Sequence, residues 1–367
     1  MSAFLEHEAA TQAGPLFNIR RQLFQSVPLI PSDVSLVGKT ALVTGANVGL
    51  GLACARHFLA LGASRLVMAV RTVSKGEVEA AKLRRAFPDA QIDVWPLDLA
   101  KPASSVRAFA ARCARELGGP ESPGRRLHVA VLNAGLGKHS FVRTPEGHKR
   151  ETTLQVNYLS TALLGLLLLP LLKPATTTAT GTTDAAAGRL TIITSDAALG
   201  ATWPASVSAG AVRTGRGILD ALDDPAHFEA FPQYCRTKML AVAFAAKLAA
   251  DVVSPDDVVV NTCNPGATKG TAFLSGVDSW AVKAVFRTLF AVLGRQPADA
   301  ARAYVHASLV LGKESHGSFT DWKVRSWPVA LYGAAGRAMM DKLWDETLAE
   351  LGFASEADVL QAVHKQA

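Results

Sequence analysis

From Gly38 onward the chain alternates continuous apolar runs with stretches of helical period, and few folds accommodate that alternation. Runs at 40–44, 65–70, 91–96, 129–133, 190–194 and 258–264 read as strands. Segments at 50–61, 74–86, 104–117, 152–172 and 233–251 carry the helical pattern between them. Strand, crossover helix and next strand then repeat into a parallel sheet covered on both faces. Crossovers in such a sheet are right-handed, so ligands gather at the carboxyl ends of the strands. A late strand near 318–321 makes a seventh. The reading is one α/β domain, doubly wound, around a mostly seven-stranded parallel sheet.

The flanks and interruptions follow from the same pass. Residues 1–37 form an N-terminal extension of mixed polarity with Pro15, Pro28 and Pro31 and a short helix expected around 19–25. The domain itself runs over 38–335, and 336–367 is a helical tail. Two insertions break the rhythm. The low-complexity stretch at 174–188 reads as a surface loop. The longer one at 200–231 carries Trp203, Pro204, Pro225 and Phe228 and is expected to cover a substrate. With the apolar segment 271–291 it should line a pocket for a bulky, apolar or polycyclic molecule.

Between the first strand and the first helix lies Thr44-Gly45-Ala46-Asn47-Val48-Gly49-Leu50-Gly51. Glycine permits a tight turn and lets a phosphate reach backbone N–H groups. The following helix offers its unsatisfied N–H groups and positive dipole end to an anion. A strand before and a helix after are the context a dinucleotide fingerprint requires, although the spacing is Gly-x3-Gly-x-Gly. The second strand ends at Val70-Arg71, with Lys75 a turn later and no acid. A carboxylate there would accept a ribose 2′-hydroxyl, whereas an arginine accommodates a 2′-phosphate. NADP(H) is therefore expected in preference to NAD(H).

Bulk properties exclude other classes. The net charge is 38 − 31 = +7, but no run of basic residues is longer than two, which argues against a nucleic-acid partner. Four cysteines, Cys54, Cys113, Cys235 and Cys263, form no CxxC pair, so neither a disulfide framework nor a metal site is expected and a reducing, cytoplasmic setting fits. The apolar run 159–172 is interrupted by Gly165 and Pro170. It falls short of the roughly 20 residues a membrane span needs, and reads as a buried or dimer-forming helix.

Tyr234 and Lys238 stand four apart and so share one face of a helix. A phenol near pKa 10 is a poor base at neutral pH, and a neighbouring ammonium should lower that value into the range of a general acid/base. Ser195 closes an apolar strand at its carboxyl end, where a hydroxyl can bond a substrate oxygen, with Thr194 the neighbouring alternative. Asn157 lies in the greasy helix, where a buried amide needs partners.

These motifs, in this order, resemble the short-chain dehydrogenase/reductase family over roughly residues 38–327, and imply its Rossmann fold. Thr44 to Gly51 and the phrase Glu314-Ser315-His316-Gly317 resemble fungal members similar to retinol dehydrogenases and to the oxidoreductase domain of WW-domain proteins. The resemblance implies an NADP-dependent ketone reductase or secondary alcohol dehydrogenase, often in secondary metabolism, acting on a small-molecule substrate, with the homodimer common in the family as its candidate assembly. It implies that Tyr234 handles the proton, Lys238 lowers its pKa and binds the nicotinamide ribose, Ser195 positions the oxygen and Asn157 holds a relay water. The cofactor would be held by Gly45, Asn47, Val48, Gly49, Leu50 and Gly51, by Arg71, and by Asp98 and Leu99 at the adenine. Asn133, Ala134 and Gly135 would meet the adenosine ribose, and Pro265, Gly266 and Thr268 the nicotinamide, with Thr271 the alternative threonine. A relative that keeps the nucleotide but acts as a non-redox catalyst or binding partner is the other class in view.

Overall fold

A computed structural model describes residues 1–118, 126–174, 186–207, 217–269 and 294–353. Eight strands form one sheet in the order β3-β2-β1-β4-β5-β6-β7-β8. They are β1 (Thr40–Thr44), β2 (Arg65–Val70), β3 (Gln91–Pro96), β4 (Val129–Leu132), β5 (Gly188–Ile193), β6 (Val258–Cys263), β7 (Phe319–Thr320) and β8 (Val324–Arg325). All neighbours pair in parallel except β7 and β8, whose hairpin-like pairing adds an antiparallel edge to the expected seven. The strand order reverses between β1 and β4, and that switch opens the crevice at the strands' carboxyl ends.

The core has two layers because successive residues of a strand face opposite ways. Leu42 joins the cluster on one face, while its neighbours Ala41 and Val43 join the cluster on the other. The helices are α1 (Glu6–Ala13), α2 (Pro15–Phe24), α3 (Gly49–Ala60), α4 (Val73–Ala86), α5 (Arg107–Leu117), α6 (Thr152–Leu172), α7 (Ile218–Leu222), α8 (Ala230–Asp251), α9 (Pro297–Val305) and α10 (Gly333–Leu351).

Helix α6 has the expected bounds 152–172, and at 21 residues it is long and apolar enough to cross a membrane. Yet 94% of its most apolar window is buried inside the protein, so it is the central core helix. Residues Gln155–Leu159 within it form a π-helical turn. The buried carboxylate of Glu151 caps α6, accepting from Thr153 N at 2.8 Å and Leu154 N at 3.0 Å. It also accepts from Gln233 Nε2 at 3.0 Å, which fixes α8 against the start of α6. On the outer side, α10 packs across both helices. Tyr158 Oη meets Thr347 Oγ1 at 2.6 Å, the rings of Phe244 and Trp344 lie 5.6 Å apart, and Lys247 pairs with Asp341 at 2.7 Å.

The extension holds two helices where one was expected. The second, α2, starts at Pro15, a residue whose fixed φ and missing N–H suit the first helical turn.

Candidate active site

The ends of six strands, β1 to β6, supply the site. After β1 the chain turns through Gly45 (φ +66°) and Gly49 (φ +56°), values that glycine adopts without strain. Helix α3 begins without a side-chain cap, and a Cβ added at Gly49 would meet nothing within 4 Å. The first N–H groups of α3 thus have no side-chain cap among the described residues, as an anion site would require. Gly51 has the opposite surroundings: a Cβ there would stand 2.4 Å from Gly45 O and 2.6 Å from Asn133 Nδ2. Asn47 and Leu50 are half-buried and Val48 is exposed.

Asn133 joins the ends of β1 and β4. Its Nδ2 donates to Thr44 O at 2.8 Å, and Ala134 N donates to Thr44 Oγ1 at 2.9 Å. Tyr304 on α9 donates to Asn133 Oδ1 at 3.1 Å, a partner that no local sequence signal marks. Gly135 is exposed beside the pair behind it; a Cβ on it would lie 3.1 Å from Asn157 Oδ1 and 3.2 Å from Lys238 Nζ.

Arg71 and Lys75 are exposed beyond β2, and Arg71 makes no ion pair with a described residue. Asp98 is half-buried, with Oδ1 accepting from Ala100 N at 3.0 Å, so a local turn already uses one oxygen. The Leu99 side chain points into the core, and its carbonyl accepts from Ser160 at 2.6 Å.

Ser195 caps a short turn after β5, accepting from Ala197 N at 3.2 Å, and shares a hydrogen bond with the phenol of Tyr234. Lys238 is buried; its Nζ donates to Ile193 O at 2.9 Å and lies 5.8 Å from the centre of the Tyr234 ring. Burial lowers its pKa to about 8. The Tyr234 phenol is raised to about 12 by burial, which outweighs the Ser195 hydrogen bond acting the other way. The expected lowering by the ammonium is therefore not what the protein alone displays. Desolvation of the phenolate dominates, and the phenol holds its proton at neutral pH.

Asn157 sits in the π-helical turn, a local widening often found at functional sites. Its amide mimics a peptide unit, accepting from Leu136 N at 2.8 Å and donating to Leu136 O at 2.7 Å. The same Nδ2 lies 3.2 Å from Thr237 Oγ1, which in turn donates to Tyr234 O at 2.8 Å. The side chain thus ties the loop after β4 to the helix carrying Tyr234 and Lys238, with both of its amide hydrogens engaged.

After β6, Asn264 Oδ1 accepts from Asp196 N at 3.1 Å and from Gly266 N at 3.0 Å. Pro265 is buried and Gly266 has φ +74°. Thr268 is buried with its hydroxyl 3.2 Å from Gly266 O; Thr271 with the whole segment 271–291, and part of 200–231, lie outside the described residues. Sequence reading overlooked Asp196 and Asn264, although one directly follows Ser195 and the other directly precedes Pro265.

Comparisons with known proteins agree with this geometry. Residues 39–207 match the family described as short chain dehydrogenase. The short chain dehydrogenase opdN of Penicillium oxalicum is 43% identical over 323 residues, spanning 87% of this chain and 97% of its own length. The short chain dehydrogenase virL of Hypocrea virens is 38% identical and spans 98% of each chain. Among solved structures, an L-sorbose reductase from Gluconobacter frateurii shares the fold with a TM-score of 0.55 at 23% identity, covering 80% of this chain and 98% of that one. A short chain dehydrogenase from Escherichia coli CFT073 aligns with a TM-score of 0.52 at 22% identity, covering 80% and 100%.

Proposed function

The chain belongs to the short-chain dehydrogenase family of oxidoreductases, and on that premise we propose that it uses NADP(H) to reduce the ketone of a bulky, apolar or polycyclic substrate. The observation that carries this reading is the hydrogen bond between Ser195 and a protonated Tyr234, with buried Lys238 on the same helix face. A bound NADPH supplies the hydride. The Ser195 hydroxyl donates to the carbonyl oxygen and fixes it beside Tyr234. Tyr234 then gives its proton to that oxygen as charge develops there. A phenol raised to about 12 enters the reaction protonated, as its role of proton donor requires. Lys238 holds the nicotinamide ribose with the donors that Ile193 leaves over and restores the proton to Tyr234. Asn157 keeps these groups in register and would hold the relay water, its two amide hydrogens being already engaged.

The residues fit the dinucleotide. The uncapped start of α3, the space at Gly49 and the exposed Gly135 suit the pyrophosphate and ribose. Arg71 would pair with the 2′-phosphate, and the remaining oxygen of Asp98 would accept from the adenine amino group. Asn47, Val48, Leu50, Asn133 and Ala134 line the same crevice, and Pro265, Gly266 and Thr268 stand at its nicotinamide end. Solved relatives in complex with NADPH, among them the L-sorbose reductase and the E. coli protein, support the cofactor. The relatives opdN and virL come from fungi, which is in keeping with the fungal secondary metabolism of this reading.

The test is calorimetric titration with NADPH and NADH, followed by absorbance at the nicotinamide band with polycyclic ketones. Tight NADPH binding with consumption on a ketone is the expected outcome. Binding without turnover on any ketone points to the non-redox class, and absence of binding overturns the reading.

A further inference from the structure

Arg21 lies on α2, in the N-terminal extension, outside the span that matches the family. Its side chain is 3% exposed, and its guanidinium bridges two carboxylates. Nη1 donates to Asp321 Oδ2 at 2.8 Å, and Nη2 donates to Asp196 Oδ2. Asp321 follows β7 and is fully buried; Asp196 is the residue after Ser195. Asp196 in turn accepts from Asn264 Nδ2, and Asn264 Oδ1 receives Asp196 N and Gly266 N.

The next residue on α2 grips the same turn from its other side. Gln22 Nε2 donates to Ala267 O at 2.8 Å, and Gln22 Oε1 accepts from Ala267 N at 3.1 Å. Arg295 closes the ring, donating to Pro265 O at 3.3 Å and to the carbonyls of Arg21 at 3.2 Å and Gln25 at 2.8 Å. A Cβ on Gly266 would stand 2.7 Å from Gln22 Oε1, so glycine is what lets the helix come this near.

We propose that Arg21 and Gln22 are positioning residues: α2 clamps the turn 264–267 against the turn 195–197, and so sets the distance between the nicotinamide end of the crevice and the hydroxyl of Ser195. The inference rests on the redox reading above for its meaning in catalysis, though not for the clamp itself. Without the guanidinium, Asp196 loses its ion pair and its link to Asp321, which keeps Arg325, whose Nε donates to Asp321 Oδ2 at 2.9 Å. The Asn264 amide, bonded to Asp196, would lose its reference point. A shift of about 1 Å between reacting groups costs on the order of a hundredfold in rate. The phosphate end of the crevice, at Gly45–Gly51 and Arg71, touches none of these groups.

The test uses the full chain in wild-type, Arg21→Met and Gln22→Ala forms, with two independent readouts. Amide hydrogen exchange should rise at 195–198 and 264–268 in both variants and stay unchanged in β1, α3 and β2. The turnover number per NADPH-binding site, counted by calorimetry, should fall about a hundredfold in Arg21→Met and less in Gln22→Ala. NADPH affinity should stay within about threefold, because the fixed phosphate end carries it. If Arg21→Met does not fold, Gln22→Ala decides alone. Wild-type turnover with unaltered exchange and unaltered rate in the variants overturns the clamp and leaves the redox reading standing. Raised exchange at both turns, in a protein whose wild type turns over no ketone, upholds the clamp and removes the redox reading.

Discussion

Ser195, closing β5, and Tyr234, in the first turns of α8, share a hydrogen bond that joins a strand end to the long helix crossing behind it. Tyr234→Phe keeps the ring and removes the hydroxyl. The expected result is a fall in turnover of about 10²- to 10⁴-fold, with NADPH affinity retained in calorimetry. Near-normal turnover in this variant would take Tyr234 out of the acid role.

Lys238 predicts the pH profile. Burial lowers its ammonium from 10.5 to about 8. Below pH 8 the amine is charged in both folded and unfolded chains, and the fold bears the full cost of burying that charge. Between about 8 and 10.5 the folded chain sheds the proton first, so the cost is relieved as pH rises. Activity should move the other way. The turnover number for reduction should fall above about pH 8 along a single ionisation, because the phenol at about 12 stays protonated there. A flat profile up to pH 10, measured at saturating cofactor, would separate the ammonium from the rate.

Arg71→Asp should reverse the cofactor preference. A charge-assisted bond to a phosphate contributes about 1.5–3 kcal/mol, so the ratio of kcat/KM for NADPH over NADH should drop by roughly ten- to a hundredfold. An unchanged ratio would show that another group reads the 2′-phosphate.

Two glycines two residues apart in the first turn of α3 should respond differently to one methyl group. Gly51→Ala forces a Cβ into Gly45 O and Asn133 Nδ2 and should cost about 1–3 kcal/mol in denaturant unfolding. Gly49→Ala meets open space and carries a φ strain of about 1 kcal/mol. It should instead weaken NADPH binding, because its methyl occupies the volume the phosphate needs. Equal stability losses with intact binding in both would contradict the crevice drawn here.

What the chain discloses before folding depends on how local the cause is. Strands β1, β2 and β3 match their expected bounds end to end: β1 and β2 are buried on both faces and so nearly apolar throughout, while β3, at the sheet edge, keeps Gln91 and Asp93 toward solvent. Tyr234, Lys238 and Ser195 are also local signals, resting on helical spacing and on a strand's end. The Arg21–Asp196–Asp321 bridge has no such signature, since its members are far apart in sequence and each alone is an ordinary surface residue type. The raised phenol of Tyr234 is likewise a property of depth, which spacing does not encode. Strand β8 escaped because two residues are too few for a period.

Helix α10 has a consequence for how the site tolerates dilution. Through Trp344, Thr347 and Asp341 it seals the outer side of α6 and α8, the helices that carry Asn157, Tyr234 and Lys238. A wall closed by a segment of the same chain forms in a unimolecular step, at an effective concentration fixed by the intervening chain. A wall shared between two copies would loosen as the protein is diluted. The backing of these three residues is thus internal to one polypeptide and persists at any concentration at which the chain is folded.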